Sequence, residues 1–344
     1  MRKIIALMIC TLFLAGSSNA EMVITNSVDV EAEVGDFIQY EFVDDSFILG
    51  IANAIDEEKY LRYEDKQGGN LRMEITTKGE TLHEGETVDF IAVEMSWHQS
   101  FTLIFDDLMD DDDGKEDMVE VDYSLVSEIW DLDASYFSTA NNTAIKDDMT
   151  MIINFNMTIN QYEDQTIYWS SSIEKTTTDF IDQEGIEPST YEVGSLWSIT
   201  TTNRISGTER TRDCWDGDCE DWVTEEIDEE TTVTQNSEVV GEKSLTTPAG
   251  TFQVLEIKET EDGEDPGNYT LNYLDATGLP VALKMYTEDT MTMNVQLESY
   301  KISGLGSLDA DGSDIVEEGL PSIPFILSLM TVAFVAVRVA GRQS

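Results

Sequence analysis

The chain has 344 residues, 41% of them hydrophobic and 9% aromatic, and its 70 acidic against 19 basic residues give a net charge of −51. The hydrophobic content is sufficient for a folded core and argues against wholesale disorder. A surface this acidic repels nucleic acid and anionic lipid headgroups and attracts cations, so nucleic acid is excluded as a partner. The simplest interpretation of the charge is a solvated surface suited to salty or calcium-containing surroundings.

Residues 1–20 have the pattern of a secretory signal peptide. Arg2 and Lys3 supply a positive start, Ile4 to Leu14 form the apolar stretch, and Ser18-Asn19-Ala20 is a small-residue cleavage site. This order of regions is typical of exported proteins. The sequence therefore predicts that the rest of the chain lies outside the cytoplasm.

Strand patterns occur twice along the exported part of the chain. In Thr290–Tyr300 the residues Met291, Met293, Val295 and Leu297 alternate with polar residues, which is the period of a half-buried β-strand. Ile153–Tyr162 carries the same alternation 138 residues earlier. We therefore expect a mainly β protein in which two related, curved antiparallel sheets follow each other in tandem. The best candidate for a helix is Asp45–Lys66.

The sequence predicts the following divisions after the signal peptide. A first β copy spans 21–162 with an acidic insertion at 105–136, a connecting segment spans 163–192, a second β copy spans 193–302, an acidic Gly/Ser linker spans 303–319, and a tail spans 320–344. This region carries the acid run Asp106–Asp117, which is expected to be an insertion on a loop.

The acid run could hold calcium, since hard cations prefer several oxygen ligands. The candidate ligands are the four consecutive carboxylates Asp110, Asp111, Asp112 and Asp113. The spacing differs from that of an EF-hand loop, because Met109 stands five residues before Gly114. A calcium site and a plain solvated acidic loop therefore both remain open, and no other cofactor is expected.

The cysteines and the sequons predict covalent features of an exported protein. Cys214 and Cys219 flank Asp216-Gly217, a dipeptide typical of two-residue hairpin turns, so we expect a disulfide across the hairpin. A redox or zinc site is the weaker alternative, because the spacing is not Cys-x-x-Cys and further zinc ligands are lacking. Asn-x-Thr sequons at Asn141, Asn156 and Asn268 predict N-glycosylation.

The tail combines Leu320–Pro324, an apolar run from Phe325 to Val337, and the basic residues Arg338 and Arg342. With its flanking residues the run could cross a thin bilayer as a transmembrane helix, with the arginines on the cytoplasmic side. The tail resembles the tripartite sorting signals of archaeal surface proteins that archaeosortases process. The resemblance implies a sorting enzyme that acts on the tail, and it places the protein at the cell surface, anchored in the cytoplasmic membrane by its C-terminus.

The second β copy resembles exported domains of the LolA/LppX lipoprotein-carrier fold. The resemblance rests on Val193-Gly194 with Trp197, Thr247–Phe252, Gly278–Val281 and Leu297–Tyr300. It implies a strongly curved antiparallel half-barrel whose concave apolar face is sometimes plugged by helices. Members of that group hold lipid or lipid-modified chains, and the group has no catalytic residues to carry over.

Methionines mark the candidate ligand-binding face, because the flexible thioether suits adaptable apolar surfaces. The candidates are Met149, Met151, Met157, Met291 and Met293, and an ordinary packed core would produce the same pattern. We expect no enzyme: the two histidines, His83 and His98, accompany no nucleophile or metalloprotease motif. A carboxylate pair for glycoside hydrolysis is defined by geometry, so the acids leave that alternative open.

These features predict an exported, membrane-anchored cell-surface protein with a non-enzymatic acidic β ectodomain that binds an apolar ligand or lipid on a concave sheet face. The alternative is a structural or adhesive envelope component that binds cations or neighbouring surface proteins.

Overall fold

The computed structural model describes residues 22, 24–25, 33–56, 60–83, 85–110, 116–138, 144–161, 164–186, 188, 190–303 and 306–308. The elements in chain order are β1 (Ile24–Thr25), β2 (Phe37–Phe42), α1 (Ser46–Asp56), β3 (Tyr60–His83), β4 (Glu86–Asp110), β5 (Glu116–Ser138), β6 (Ala144–Gln161), β7 (Asp164–Glu184), β8 (Thr190–Tyr191), β9 (Leu196–Trp215), β10 (Asp218–Cys219), β11 (Val223–Thr247), β12 (Gly250–Glu261), β13 (Tyr269–Asp275), β14 (Pro280–Thr287), β15 (Thr290–Ile302) and β16 (Gly306–Leu308).

Fourteen of these strands form one antiparallel sheet, in the order β10-β9-β11-β12-β13-β14-β15-β2-β3-β4-β5-β6-β7, with β16 paired to β15. The prediction of a mainly β, antiparallel fold with few helices is confirmed. β7 also pairs with β9, so the sheet closes on itself. The short strands β1 and β8 form a separate two-stranded sheet.

The prediction of two sheets in tandem is wrong, because two seams join the halves. β15 pairs with β2 from Val295↔Phe42 to Lys301↔Phe37, and β7 pairs with β9 from Tyr168↔Trp215 to Glu184↔Thr200. Two separate sheets would leave unpaired N–H and C=O groups along their edge strands. Pairing each half with the other satisfies those groups.

The two halves begin in the same way. Gly35 and Gly194 have φ values of 92° and 93°, and their N–H groups donate to Ile75 O and Val239 O, each at 2.8 Å. A positive φ at both positions suits glycine, which has no Cβ.

The halves differ from the predicted correspondence further along the chain. Ala144–Gln161 is the single strand β6, whereas residues 280–302 form the hairpin β14–β15. Ile153–Tyr162 therefore does not occupy the position of Met291–Tyr300. The segment predicted to connect the copies contains the whole of β7.

The main hydrophobic core includes Ile38, Tyr40, Met73, Val295 and Leu297, which share one face of the closed sheet, here called the inner face. Ala282 also belongs to this core but alternates with Leu283, the partner of Val295, so the core reaches the other face as well. The alternation of β2 explains this placement, because Ile38 and Tyr40 are buried while their neighbours are more exposed. The Tyr40 hydroxyl donates to Pro280 O at 2.9 Å, which provides the buried phenol with a hydrogen-bond partner.

Strand lengths vary strongly around the sheet. β2 pairs with β3 only as far as Asn70, and β12 pairs with β11 only as far as Gln235. Within the described residues, 60–69 of β3 and 223–234 of β11 consequently pair on one side only, with β4 and β9. The sheet is therefore closed at one end and continues at the other as an open wall of long strands, from β3 through β7 to β9 and β11.

The helix α1 follows β2 at the end of the sheet where the wall opens. It begins as predicted but ends at Asp56, and Tyr60–Lys66 belong to β3 instead. Ile48 and Ala52 of α1 pack on Phe101 and Leu103 of β4.

No helix within the described part of the chain is long and apolar enough to cross a membrane. The predicted signal peptide (1–20), most of the linker (303–319) and the predicted anchor (320–344) lie outside the described residues.

The acid run Asp106–Asp117, expected on a loop, belongs to strands wherever the structure describes it. Phe105–Asp110 belong to β4 and Glu116–Tyr136 to β5, and the two strands pair from Phe90↔Ser138 to Asp110↔Glu116. The alternation of Val119, Val121 and Tyr123 with acidic residues is compatible with a strand, because charged side chains can lie on one face of an antiparallel sheet.

Candidate functional site

A single cross-strand row shows how the inner face changes around the sheet. From β15 to β11 the paired positions are Leu297, Tyr40, Leu71, Trp97, Trp130, Met151, Glu174, Glu209 and Glu225. Direct cross-strand partners share a face of the sheet. This row is apolar from β15 to β6 and acidic from β7 to β11, whereas the row through Leu103 ends at Tyr168 of β7 and Trp215 of β9. The apolar inner-face positions of β15 to β6, Phe101 and Leu103 included, are here called the apolar wall, and Glu174, Glu209 and Glu225 are called the acidic wall.

The predicted methionines lie on two separate strands, β15 and β6. Met293 is 9% exposed and belongs to the main core. A register shift between Met285 and Tyr286 pairs Met291 with Tyr286, so Met291 leaves the row that Met293 occupies. The structure therefore brings Met293 into the core but does not bring the β15 pair together as a stripe.

The methionines of β6 are separated from those of β15 by the four strands β2 to β5. Met149 is partly buried and pairs with Leu132 and Thr176. Met151 and Met157 pair with Glu174 and Tyr168, and their side chains lie outside the described part of the structure. Met149 and Met151 thus stand where the apolar wall meets the acidic wall.

The helix α1 covers the apolar wall at β3 and β4. Ile48, Ala52 and Leu103 are fully buried and Phe101 is 2% exposed. A Cβ added at Gly50 would lie 3.3 Å from Thr292 Cβ, so glycine allows the close approach of α1 to β15. The helix is therefore seated on the inner face and against the end of β15.

Two carboxylates fasten the start of α1. Asn294 Nδ2 donates to Asp44 Oδ2 at 2.7 Å. Asp45 accepts a hydrogen bond from the Tyr63 hydroxyl and one from Lys66 Nζ at 2.9 Å. The sequence predicts a helix that begins at Asp45, but it did not indicate these contacts of Asp44 and Asp45.

The electrostatics of this fastening favour ionised carboxylates. The hydrogen bond from Tyr63 and the bond from Lys66 lower the pKa of Asp45. Burial alone would raise the pKa of Asp44, but hydrogen bonds from Ser46 and Asn294 outweigh it and leave that pKa lowered. A lowered pKa stabilises the fold above the unfolded-state pKa, and this stabilisation is lost as the pH falls through the folded-state pKa.

The acidic wall places like charges directly opposite each other. Glu174 is 7% exposed and pairs with Glu209, which pairs in turn with Glu225. Burial raises the pKa of Glu174, and the charges of Glu209 and Glu229 raise it further. Ser172 Oγ donates a hydrogen bond to Glu209 Oε1 at 3.2 Å. This bond partly offsets the repulsion between the carboxylates of Glu209 and Glu174.

Replacing Glu174 with glutamine is expected to stabilise the protein at neutral pH by roughly 0.2–1 kcal/mol, the usual size of a cross-strand pair effect. A raised pKa means that the wild type loses stability as the pH rises through the pKa of folded Glu174. The advantage of Glu174→Gln should therefore shrink as the pH is lowered. Urea denaturation at several pH values measures this, with exposed Glu226→Gln as the control; equal effects of both variants at every pH would contradict it.

Buried polar groups on β12 and β13 were not anticipated from the sequence. Glu259, Thr270 and Asn272 are 3%, 1% and 4% exposed, and Glu259 pairs with Thr270. Thr270 Oγ1 and Asn272 Nδ2 make no hydrogen bond within the described residues. The sequence did contain an indication of this burial: Leu255, Ile257 and Glu259 occupy alternate positions of one strand, so Glu259 shares the face of two apolar residues.

The predicted calcium ligands are only partly within the described residues. Asp110 is the last residue of β4 and pairs with Glu116, while Asp111, Asp112 and Asp113 lie outside. Among the described residues no group of three or more His, Cys, Asp or Glu side chains could hold a metal ion. Calcium at the acid run stays a prediction.

The predicted disulfide is confirmed by the cysteine geometry. Cys214 and Cys219 are bonded across the β9–β10 hairpin with their Cα atoms 3.9 Å apart. Asp216 and Gly217 have φ values of 49° and 91°, and two consecutive positive φ angles are those of a type I′ turn. The Asp-Gly dipeptide thus sets the register that brings the two sulfurs together.

The three sequons have different surroundings. Asn141 lies outside the described residues, and Asn156 is a position of β6 whose side chain is not described. Asn268 is half-buried, donates through Nδ2 to Glu264 Oε2 at 3.3 Å, and accepts from Glu288 N at 3.0 Å. Glycosylation at Asn268 would have to replace the first of these bonds.

Comparisons with known protein families, with curated proteins and with solved structures find no match to this chain.

Proposed function

We propose that the chain is an exported cell-surface protein, anchored by its C-terminal tail, whose β domain binds an apolar ligand such as a lipid on the apolar wall beneath α1. The observation that carries the proposal is the packing of α1 on Phe101 and Leu103. An amphipathic cover over an apolar concave surface provides a site that is shielded when empty and exposed when the cover moves.

The helix α1, which forms the cover, can separate from the apolar wall as a whole. α1 has 11 residues, and isolated helices of this length are marginal in water, so its stability depends on the wall. Polar contacts from Asp44 and Asp45 hold its start, and water can replace such contacts at low cost. An apolar ligand that covered Phe101 and Leu103 would replace the burial lost when α1 lifts.

The ends of the sheet give the proposal an orientation. The first and last described strands, β1 and β16, lie at the closed end of the sheet. The helix α1 follows the last residue of β2, which lies at the open end. A C-terminal anchor after β16 would therefore direct the open wall and α1 away from the membrane. The ligand would enter from the outside.

A neutral apolar dye, N-phenyl-1-naphthylamine, tests the proposal by its fluorescence on binding. Leu103→Trp should fill the space beneath α1 and weaken dye binding about tenfold, equivalent to about 1.4 kcal/mol. Leu82→Trp is the matched control, because Leu82 is 73% exposed. Mass spectrometry of an organic extract of the purified protein should reveal bound lipid. An extract without lipid, together with no dye binding by the wild type, would contradict the proposal.

A further inference from the structure

Two arginines and two tryptophans form a cluster on the outer face of the sheet. Arg210 and Arg212 alternate along β9 with Glu209 and Thr211, so they point away from the inner face. The Arg212 guanidinium lies 5.1 Å from the Trp169 ring and 4.8 Å from the Trp222 ring, and that of Arg210 lies 5.0 Å from the Trp222 ring. We call these four residues the tryptophan–arginine platform.

The positive charge of the platform is not neutralised by an ion pair with any residue in the described part of the chain. Arg210 and Arg212 make no ion pair and no side-chain hydrogen bond to any residue that the structure describes, and Arg212 Nε is a buried donor without a partner. By contrast, Arg204 on the same face of β9 pairs with Asp228 at 3.0 Å. In a chain with 70 acidic and 19 basic residues, two adjacent unpaired arginines point to an external anion.

The indole rings define the chemistry next to that anion. They hold the guanidinium groups in place by cation–π contacts, which lowers the entropic cost of binding. A planar guanidinium matches a carboxylate through two parallel hydrogen bonds. A ligand that combines a carboxylate with a flat, weakly polar ring face therefore fits the platform better than a free anion does.

Neighbouring residues favour a ligand that also carries hydroxyl groups. Thr224 pairs with Arg210, and Glu226 follows on the same face of β11; both are exposed. These oxygens can accept hydrogen bonds from hydroxyl donors. The net charge of −51 disfavours dense polyanions, so a ring with one carboxylate and several hydroxyls is the best match.

The platform is also rigid and outward-facing. The Cys214–Cys219 disulfide and the Asp216-Gly217 turn fix the hairpin between β9 and Trp222. The tip of this hairpin lies at the open end of the sheet, opposite β1 and β16. A ligand on the cell exterior could reach it.

We propose that the tryptophan–arginine platform binds the carboxylate-bearing sugar units of an acidic glycan. Each hexuronic acid ring stacks on an indole face while its carboxylate bonds to Arg210 and Arg212. The platform lies on the outer face and acts independently of the apolar wall.

Isothermal titration with D-galacturonic acid, D-galactose and acetate tests this proposal on the whole protein. Binding of galacturonic acid should exceed that of galactose and of acetate, and Arg210→Gln/Arg212→Gln should weaken it about tenfold or more, the effect of losing charge-assisted hydrogen bonds. Arg204→Gln is the matched control and should leave the affinity within about twofold.

Two single variants test the proposal if Arg210→Gln/Arg212→Gln folds poorly. Arg212→Lys retains the charge but lacks the planar fork, and Trp222→Leu removes one ring; both should weaken galacturonic acid binding without lowering the melting temperature by more than a few degrees. Absence of galacturonic acid binding by the wild type would overturn the proposal. So would equal binding of acetate, or an acidic peptide that competes as well as the sugar.

Discussion

A disulfide between α1 and β15 is expected to slow ligand uptake strongly. In a Gly50→Cys/Thr292→Cys variant the two Cβ atoms would lie about 3.3 Å apart, close to the separation found in disulfides, so a small adjustment allows the bond. Once oxidised, the bond ties α1 to the sheet and prevents Phe101 and Leu103 from becoming exposed. We expect the rate of dye uptake to fall about tenfold or more, since even 1.4 kcal/mol on the opening step gives that factor.

Reduction provides the internal control for this experiment. Dithiothreitol should restore uptake in the double-cysteine variant, measured by stopped-flow fluorescence. The reductant also opens Cys214–Cys219, so the wild type treated in the same way shows whether the native disulfide affects uptake. Equal uptake by the oxidised variant and the wild type would mean that ligand does not pass beneath α1.

Truncation of Leu297 to alanine is expected to cost about 2–5 kcal/mol of unfolding free energy, the usual range for a fully buried leucine. Leu297 is 0% exposed and stands opposite Tyr40 in the seam between β15 and β2. The loss should therefore loosen the joint between the two halves as well as the core. Urea denaturation followed by tryptophan fluorescence measures it.

The exposed residue Leu82 serves as the control for this prediction. It is 73% exposed, so Leu82→Ala should change the unfolding free energy by less than about 0.5 kcal/mol. A cost below about 1 kcal/mol for Leu297→Ala would contradict a continuous, packed seam. Two separate unfolding transitions in the wild type would contradict it as well, because the halves would then unfold independently.

Local patterns in the sequence predicted the local structure well. The alternation in β2 and β15 indicates strands, because a half-buried strand has a period of two. Asp216-Gly217 indicates the hairpin and thus the disulfide, because few dipeptides tolerate two positive φ angles. The start of α1 could also be predicted, whereas its end could not, because Tyr60–Lys66 fit either a helix or a strand and pairing with β4 decides between them.

Long-range pairing could not be read from these patterns. Tyr40 and Leu297 are far apart in the chain, and nothing local states that they meet. A single register shift moved Met291 out of the row of Met293, since one extra residue reverses the face of every position beyond it. The acid run Asp106–Asp117 suggested a loop because charged runs are usually solvated, whereas pairing of β4 with β5 places its described residues in strands.

The sequence predicted an apolar binding face but not its position in the fold. Methionines indicated an adaptable apolar face, yet the cover over Phe101 and Leu103 depends on where α1 folds back. The tryptophan–arginine platform was not foreseen at all, because Trp169 and Trp222 lie on different strands from Arg212. Only the register of β7, β9 and the start of β11 brings the three together.

Photo-crosslinking with a diazirine-bearing fatty acid tests the central claim most directly, because it reports where an apolar ligand lies. After irradiation and peptide mass spectrometry, we expect adducts on α1 and on the segment of β4 that contains Phe101 and Leu103, and fewer adducts when unlabelled fatty acid competes. Adducts confined to the outer face, or spread evenly over the surface without competition, would contradict a ligand site beneath α1.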